Sequence, residues 1–367
     1  MKLLEFSLTN FRNLAEVHAA PHPQFTVIAG ENGQGKTNLL EGIYYLLCLK
    51  PLRPSKPHDL LRLGQAEARL SAKLERGGVA EQVAVSLSRE GGREGRSLVQ
   101  NGKPVQELGR YFEGGAVVAF TPDDLSLVRG EPERRRRFLD RAVFNRWPAY
   151  LEESREYQRL LRSRNRLLQE SAPAELRESF EGPLALAGAK LIVRRRAWLA
   201  EVASRLSDAW GRIGRLPGGL TASYPGPPEG NEADVAAWLT DELARKLETD
   251  LERGFTSVGP HAGDIRFSLG ELDARRFASQ GQARALVLAL KVAEIENLRA
   301  RLGFPPLLLL DDVSSELDPE RNRQLLDYLA DLPAQVLLTT TDPAPLLPRL
   351  QQRSTLWRVV GGVLETP

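Results

Sequence analysis

The stretch that decides the fold is GENGQGKT, residues 30–37, which matches the pattern G-x-x-x-x-G-K-[ST] at every fixed position. The apolar run QFTVIAG leads into it, and NLLEGIYYLLCL follows with the apolar spacing of a helix packed on a sheet. A strand, a glycine-rich turn and a helix in this order bring backbone N–H groups and the positive end of a helix to one point. The stretch therefore predicts a loop that binds the phosphates of a nucleotide.

Each residue of this loop has an expected part in binding ATP and Mg²⁺. Lys36 is placed to reach the β- and γ-phosphates and to act in catalysis, and the Thr37 hydroxyl is placed to ligate Mg²⁺. The alternative, a chance glycine-rich turn, is disfavoured by the strand and helix that flank the motif. The residues expected to bind the nucleotide are Gly30, Glu31, Asn32, Gly33, Gln34, Gly35, Lys36 and Thr37.

An acidic motif lies near the other end of the chain. Residues 307–312 read LLLLDD, a buried strand of four aliphatic residues that ends in two carboxylates. A carboxylate at the carboxyl end of a strand beside the phosphate loop supplies negative charge to a Mg²⁺ shell. We expect Asp311 to ligate Mg²⁺ and Asp312 to orient or deprotonate the attacking water. Two solvated acids that open a loop are the alternative interpretation.

The composition is that of a globular protein without a membrane segment. Of the 367 residues, 42% are hydrophobic and 27% are charged, and the formal net charge is +2. No run of 18 or more uncharged apolar residues occurs, and the N-terminus lacks an apolar segment with a cleavage site. The single cysteine, Cys48, excludes an intramolecular disulfide. We therefore expect a cytoplasmic protein without a membrane partner.

Mixed strand and helix patterns at the two ends flank a helical middle. Residues 1–125 and 255–367 carry the mixed patterns, and neither part alone has enough strands for a complete domain. Residues 126–254 carry apolar positions at helical spacing in a charged background. We predict an α/β fold in which residues 1–125 and 255–367 form one discontinuous ATPase head. Residues 126–254 would be an inserted helical arm, too short for long coiled-coil heptads.

The middle of the chain is basic. Between Arg129 and Arg166, twelve arginines stand against six acids. Closely spaced guanidinium groups pair with DNA phosphates irrespective of sequence, although a solvated helix face with local ion pairs has the same composition. No recognition helix or zinc finger is visible, so binding would follow DNA shape rather than base sequence. The candidate DNA-binding residues are Arg134, Arg135, Arg136 and Arg137.

Further motifs, in the same order, resemble those of one family. Residues 279–284, SQGQAR, look like the signature motif of ABC-type ATPases, and residues 315–318, SELD, look like their D-loop. NFRN at 10–13, FTPDDLSLVRGEPERRRRFLD at 120–140 and GPH at 259–261 add to the likeness. With GENGQGKT and LLLLDDVSSELD, they make nearly the whole chain similar to the RecF recombination-mediator family.

The resemblance implies an ABC-type head that dimerises with ATP between two copies. Ser279 of one copy would cap the γ-phosphate held by Lys36 of the other, and hydrolysis would release the dimer. Implied partners are double-stranded, gapped or junction DNA, together with RecO and RecR. Such a protein would help RecO and RecR to load RecA on single strands coated with SSB. The further nucleotide contacts that it implies are Arg12, Ser279, Gln280, Gly281 and Gln282.

Departures from the general ABC pattern shape the expected activity. Asp312 stands at the position of the catalytic glutamate and Thr341 at that of the switch histidine, and residues 121–124 hold no Q-loop glutamine. A shorter base and a missing histidine predict slow ATP hydrolysis, which we expect DNA to stimulate. Residues 259–264 read GPHAGD, whereas similar proteins usually have GPHRDD, so the roles of those two side chains are not carried over.

Two alternative functions share the phosphate loop and the signature. One is the nucleotide-binding subunit of an ABC transporter, which the helical arm and the missing switch histidine disfavour. The other is a short SMC-like structural ATPase, which the lack of long heptads disfavours.

Overall fold

The structure is a computed structural model that describes residues 1–213, 219–313 and 317–367. Its α-helices, in chain order, are α1 Lys36–Cys48, α2 Leu108–Phe112, α3 Pro122–Leu125, α4 Pro132–Arg146, α5 Tyr150–Gln169, α6 Ala174–Ile213, α7 Glu232–Arg245, α8 Leu247–Arg253, α9 Ala274–Phe277, α10 Gln280–Leu302, α11 Pro319–Asp331 and α12 Leu347–Leu350. Short 3₁₀ helices lie at Pro57–Leu60 and Gln351–Arg353. No helix in the described ranges combines the length and apolar character needed to cross a membrane.

The strands in the described part of the chain form three sheets. In chain order they are β1 Lys2–Phe11, β2 Leu14–Ala19, β3 Phe25–Ala29, β4 Glu67–Arg76, β5 Val79–Glu90, β6 Arg93–Gln100, β7 Lys103–Pro104, β8 Val117–Phe120, β9 Leu220–Ser223, β10 Arg266–Leu269, β11 Leu272–Asp273, β12 Leu307–Leu310, β13 Val336–Thr340, β14 Ser354–Val360 and β15 Val363–Glu365. The sheets have the orders β2-β1-β4-β5-β6-β7, β11-β10-β9 and β15-β14-β3-β13-β12-β8.

The chain divides into two compact units. The first comprises Met1–Leu125 and Glu294–Pro367, and the second comprises Ser126–Ala293. The first boundary coincides with the expected one, but the expected boundary at 254/255 is corrected to 293/294. Residues that follow 254 belong to the second unit because β10 pairs with β9 in a small antiparallel sheet there. The sequence did not indicate β9, because only four residues form it, among prolines and glycines.

The sheet that contains β3 joins the two ends of the chain in the first unit. Strand β3 lies between β14 and β13, and these strands run parallel to it together with β12 and β8. All five residues of β3 and all four of β12 are buried, as continuous apolar runs in a parallel sheet predict. Strands from the two ends of the chain therefore share one sheet, as predicted, in a unit whose C-terminal part begins at Glu294 rather than at residue 255.

The other large sheet is antiparallel, and pairs of glycines form the turns of its β4–β5 and β5–β6 hairpins. Gly77 and Gly78 connect β4 to β5, and Gly91 and Gly92 connect β5 to β6. All four glycines have positive φ angles, which match the twist of two-residue hairpin turns. Strand β4 alternates between exposed and buried residues, so one face of the sheet packs inward and the other faces solvent.

The second unit is mainly helical, as predicted, but its first helical segment is interrupted. Helix α4 ends at Arg146 and α5 begins at Tyr150, with Pro148 between them. Proline lacks the N–H that a helix interior needs and restricts the residue before it, which explains the break. The last part of the predicted helical arm consists of two consecutive helices, α7 and α8.

Candidate nucleotide-binding site

The loop of residues 30–37 lies between β3 and α1, as the sequence predicts. Gly35 precedes α1 with a φ of 115°, a left-handed value that favours glycine over other residues. Helix α1 begins at Lys36, so its N-terminus faces the loop. Backbone N–H groups of the loop and of the first helical turn thereby converge, which is the arrangement that binds an anion.

The Lys36 side chain forms hydrogen bonds with the first residues of the loop. Its ammonium donates to the carbonyl oxygens of Gly30 at 2.6 Å and Glu31 at 2.9 Å, and the residue is 6% exposed. Burial lowers the pKa of Lys36, while the charges of Asp312 and Asp311 act in the opposite direction. The cation is therefore fixed inside the loop, at the place where a polyphosphate needs positive charge.

Thr37 and Asp311 are brought together across the sheet. The Thr37 hydroxyl donates to Asp311 Oδ1 at 2.7 Å, and the Thr339 hydroxyl donates to the same oxygen at 2.9 Å. Burial raises the pKa of Asp311, and the two hydroxyl hydrogen bonds partly offset that rise. Two hard oxygen ligands therefore lie side by side at the carboxyl end of β12.

These two oxygens fit Mg²⁺. Magnesium prefers oxygen ligands and is usually held by one or two protein groups together with substrate phosphates and water. Among the residues that the structure describes, no group of three or more His, Cys, Asp or Glu side chains is arranged to hold a metal ion.

Asp312 and Asp311 share a partner that the sequence analysis missed. The Asp312 backbone N–H donates to Thr339 Oγ1 at 2.8 Å, so one hydroxyl contacts both acidic residues. Asp312 has a φ of 47°, a left-handed value that is unusual for a non-glycine residue. Thr339 is 1% exposed and is one of two buried threonines that end strand β13, and these polar residues at the end of a buried strand were the available signal.

Arg12 is bound mainly to protein groups. Its guanidinium donates to Glu41 Oε2, to the Asp59 carbonyl and to Ser55 Oγ, each at 2.9 Å. The Arg12 side chain is 16% exposed and that of Glu41 is fully buried. Arg12 thus fastens the β1–β2 turn to α1, and its expected contact with the nucleotide stays a prediction.

The signature residues lie at an exposed helix start in the second unit. Ser279 and Gln282 form reciprocal hydrogen bonds, from Gln282 N–H to Ser279 Oγ at 3.1 Å and from Ser279 N–H to Gln282 Oε1 at 2.7 Å. This capping box fixes the start of α10, and Ser279 and Gln280 face solvent. Gly281 follows in the same turn. The arrangement presents a helix N-terminus that an anion could approach.

The expected D-loop is only partly described. Ser315 and Glu316 lie outside the described residues. Asp318, the last residue of that motif, caps α11 by accepting the Arg321 N–H at 3.1 Å. Its observed role is therefore that of a helix N-cap.

The four consecutive arginines of α4 do not share one role, and Arg135 requires a correction. Arg135 was expected to contact DNA, but its side chain is 2% exposed and donates two 2.7 Å hydrogen bonds to Asp264. Arg136 donates to the Gly263 carbonyl at 3.2 Å. Arg134 donates to Ser126 Oγ, and Arg137 lies 3.7 Å from Glu133 with 39% of its side chain exposed.

Arg135 is buried because the segment of residues 259–264 is fastened to the surrounding helices. Pro260 O accepts a 2.6 Å hydrogen bond from Arg195 of α6. His261 Nδ1 lies 2.5 Å from the Tyr157 hydroxyl of α5. Burial lowers the pKa of His261, which favours its neutral form. GPHAGD is thus a structural junction within the second unit.

Comparisons with known proteins find relatives that match nearly the whole chain. The sequence model of the "RecF/RecN/SMC N terminal domain" family matches residues 2–348. A protein named DNA replication and repair protein RecF from Anaeromyxobacter sp. (strain Fw109-5) is 51% identical over 370 residues, 99% of each chain. A relative of the same name from Myxococcus xanthus is 50% identical and covers 99% of this chain and 96% of its own.

Solved structures give the same result. A structure of the recombination mediator protein RecF with ATP, from the RecFOR pathway, has a TM-score of 0.87 and 27% identity. It covers all of this chain and 97% of its own. The head of an SMC protein bound to part of ScpA has a TM-score of 0.52 at 14% identity, and this likeness concerns the fold alone.

Proposed function

This chain belongs to the RecF family, within the wider group of RecF, RecN and SMC head domains, and from that membership we propose that it is an ATP-hydrolysing DNA-repair protein. The observation that carries the proposal is the hydrogen bond between Thr37 and Asp311. It joins the phosphate loop to the acidic strand end, as a site for a nucleotide with Mg²⁺ requires.

Binding of ATP would use the backbone of the loop together with Lys36. The N–H groups of residues 33–37 and the N-terminus of α1 would bind the phosphates, and the Lys36 ammonium would exchange loop carbonyls for phosphate oxygens. Thr37 and Asp311 would hold Mg²⁺, which neutralises charge that develops on the phosphates. Asp312, whose backbone is fixed through Thr339, would orient the attacking water and accept its proton.

We propose that two copies complete the site. Each chain carries one phosphate loop and one exposed signature turn, so a twofold dimer would place Ser279 of one copy at the γ-phosphate held by the other. The start of α10 suits that role because a helix N-terminus stabilises negative charge. Hydrolysis would remove the shared γ-phosphate and weaken the dimer.

DNA, RecO and RecR are the proposed partners. The names of the relatives refer to DNA replication and repair, and the matched ATP complex belongs to the RecFOR pathway. In this chain, Arg134, Arg136 and Arg137 of α4 remain candidates for phosphate contacts, without a base-specific element. DNA binding would then be largely independent of sequence and sensitive to salt.

An ATPase assay with and without gapped duplex DNA tests the proposal. We expect turnover that requires Mg²⁺, rises with DNA and is abolished in Lys36→Ala. A Lys50→Ala variant, which removes a lysine outside the loop, serves as the matched control. ATP turnover that persists in Lys36→Ala would exclude this site, and turnover unaffected by DNA would exclude the DNA-stimulated activity.

A further inference from the structure

Two segments far apart in sequence bind the outer side of the phosphate loop at Gln34. The Gln34 carbonyl oxygen accepts hydrogen bonds from Asn13 Nδ2 at 3.2 Å and from the Gly362 N–H at 2.9 Å. The Gln34 side-chain oxygen accepts the Gly361 N–H at 2.6 Å. We call Asn13 and the Gly361–Gly362 turn the bracket. The bracket therefore fixes one peptide unit of the loop from outside.

That peptide unit connects Gln34 to Gly35. In a trans peptide the C=O and the following N–H point in opposite directions, and no cis peptide bond occurs in the described chain. Because the bracket holds the Gln34 carbonyl, the Gly35 N–H points away from the bracket. N–H groups that point into a phosphate loop are the groups that bind phosphate. The bracket thus controls the direction of one phosphate-binding donor.

The three segments approach too closely to admit a side chain. A Cβ on Gly35 would lie 2.8 Å from both polar atoms of the Asn13 side chain. A Cβ on Gly362 would lie 2.5 Å from the Asn13 carbonyl oxygen, and Gly362 has a φ of 82°. Glycine is required at position 362 both by its backbone conformation and by this contact.

The fold connects the bracket to the rest of the site. Strand β14 pairs in parallel with β3, the strand that leads into the loop, and the Gly361–Gly362 turn connects β14 to β15. Asn13 follows β1, and its Oδ1 accepts a 2.8 Å hydrogen bond from Asn38 of α1. The bracket is therefore supported by both large sheets of the first unit and by the helix that follows the loop.

We propose that Asn13 and the Gly361–Gly362 turn are positioning residues for nucleotide binding, which they promote by aiming the Gly35 N–H at the phosphates. This inference rests on the proposed ATP-binding function. It assigns the C-terminal hairpin β14–β15 a part in substrate affinity, although the hairpin lies more than 300 residues from the loop in sequence. Neither segment carries a charged group that would contact phosphate itself.

The test compares alanine at two glycines in equivalent hairpin turns. Gly362→Ala places a Cβ against the Asn13 carbonyl, whereas Gly92→Ala, in the β5–β6 turn at a φ of 80°, places it in open space. Both changes impose similar backbone strain. We expect Gly362→Ala to raise the Kd for ATP about tenfold, a loss of the size of one hydrogen bond, and Gly92→Ala to leave it unchanged.

Asn13→Ala supplies an independent variant, because Asn13 is exposed and its removal leaves the core intact. We expect a similar rise in Kd and in KM, with kcat retained, as uniform loss of binding predicts. The double variant should lose less ATP-binding free energy than the two single variants lose together, since both donors bind the same Gln34 carbonyl. Equal ATP affinity in wild type, Asn13→Ala and Gly362→Ala would overturn the bracket. A wild-type protein that does not bind ATP would overturn the proposed function instead.

Discussion

The Thr37 hydroxyl donates to the Asp311 carboxylate over 2.7 Å, although 274 residues separate the two in the chain. They meet because β3 and β12 both pair with β13 in one parallel sheet. The carboxyl ends of parallel strands lie at the same edge of a sheet, so residues that follow them become neighbours. The two halves of the proposed nucleotide site are therefore assembled by strand order.

Asp311→Asn separates the function of this carboxylate from its effect on stability. Burial raises the pKa of Asp311, so the folded state binds its proton more tightly than the unfolded chain. Stability then falls as pH rises from the ordinary to the raised pKa, and the ionised group destabilises the metal-free protein at neutral pH. We expect the variant to lose about hundredfold or more in ATPase rate but to melt at a higher temperature.

Thermal melting without nucleotide or metal, at neutral and at acidic pH, measures that second effect. The difference in melting temperature between Asp311→Asn and wild type should be largest at neutral pH. It should become smaller at acidic pH, where the wild-type carboxyl is protonated. A variant that melts lower than wild type at neutral pH would contradict this account of Asp311.

Thr339→Val tests the residue that joins the two acids. Valine keeps the shape of threonine but removes the hydroxyl that donates to Asp311 and accepts from the Asp312 N–H. We expect kcat to fall about tenfold or more, since Asp312, the proposed general base, loses its fixed position, with a smaller change in KM. Thr339→Ser should restore most of the rate, because it keeps the hydroxyl. Equal kcat in the valine and wild-type proteins would show that Thr339 is only a packing residue.

The arginines of α4 should divide into a stabilising residue and a DNA-binding residue. Arg135→Ala removes a buried guanidinium that is paired with the partly exposed Asp264, so we expect a loss of about 2 kcal/mol of folding stability. Arg137→Ala should leave stability nearly unchanged and weaken duplex binding about fivefold. The slope of the logarithm of the binding constant against the logarithm of the salt concentration should become shallower by about one.

Arg166→Ala is the matched control for Arg137→Ala. Arg166 belongs to the same unit and forms an ion pair with Glu170 at four residues' spacing, as Arg137 does with Glu133. Fluorescence anisotropy with a labelled duplex, at several salt concentrations, measures all three variants. If Arg137→Ala and Arg166→Ala bind duplex DNA equally well, α4 is not the DNA-binding surface.

The phosphate loop and the acidic strand end could be predicted from the sequence because each is a contiguous motif. Each motif includes or adjoins a buried strand that can be recognised in the sequence. A glycine turn follows that strand at Gly30 to Thr37, and two acids end it at Leu307 to Asp312. The pairing of the two chain ends also followed, since neither end had enough strands to form a sheet alone.

The remaining features depend on contacts that composition does not encode. Because Arg135 lies in a run of four arginines, the sequence predicts a basic surface residue. Only the ion pair with Asp264 in the structure shows that its side chain is buried. The bracket at Gln34 likewise joins Asn13 to a glycine turn near the C-terminus, and neither has a motif. The second domain boundary was wrong because a four-residue strand between prolines and glycines has no readable pattern.

The most direct measurement of the central claim, a nucleotide site completed by a second copy, is ATPase complementation between two inactive variants. Lys36→Ala disables the phosphate loop. Ser279→Asp keeps an effective helix N-cap, so α10 stays intact, but it places a negative charge against the γ-phosphate. In a mixed dimer, the intact loop of the second variant faces the intact serine of the first. We predict that the mixture hydrolyses ATP although neither variant does so alone. Full activity of Ser279→Asp alone, or a mixture as inactive as its components, would contradict the shared site.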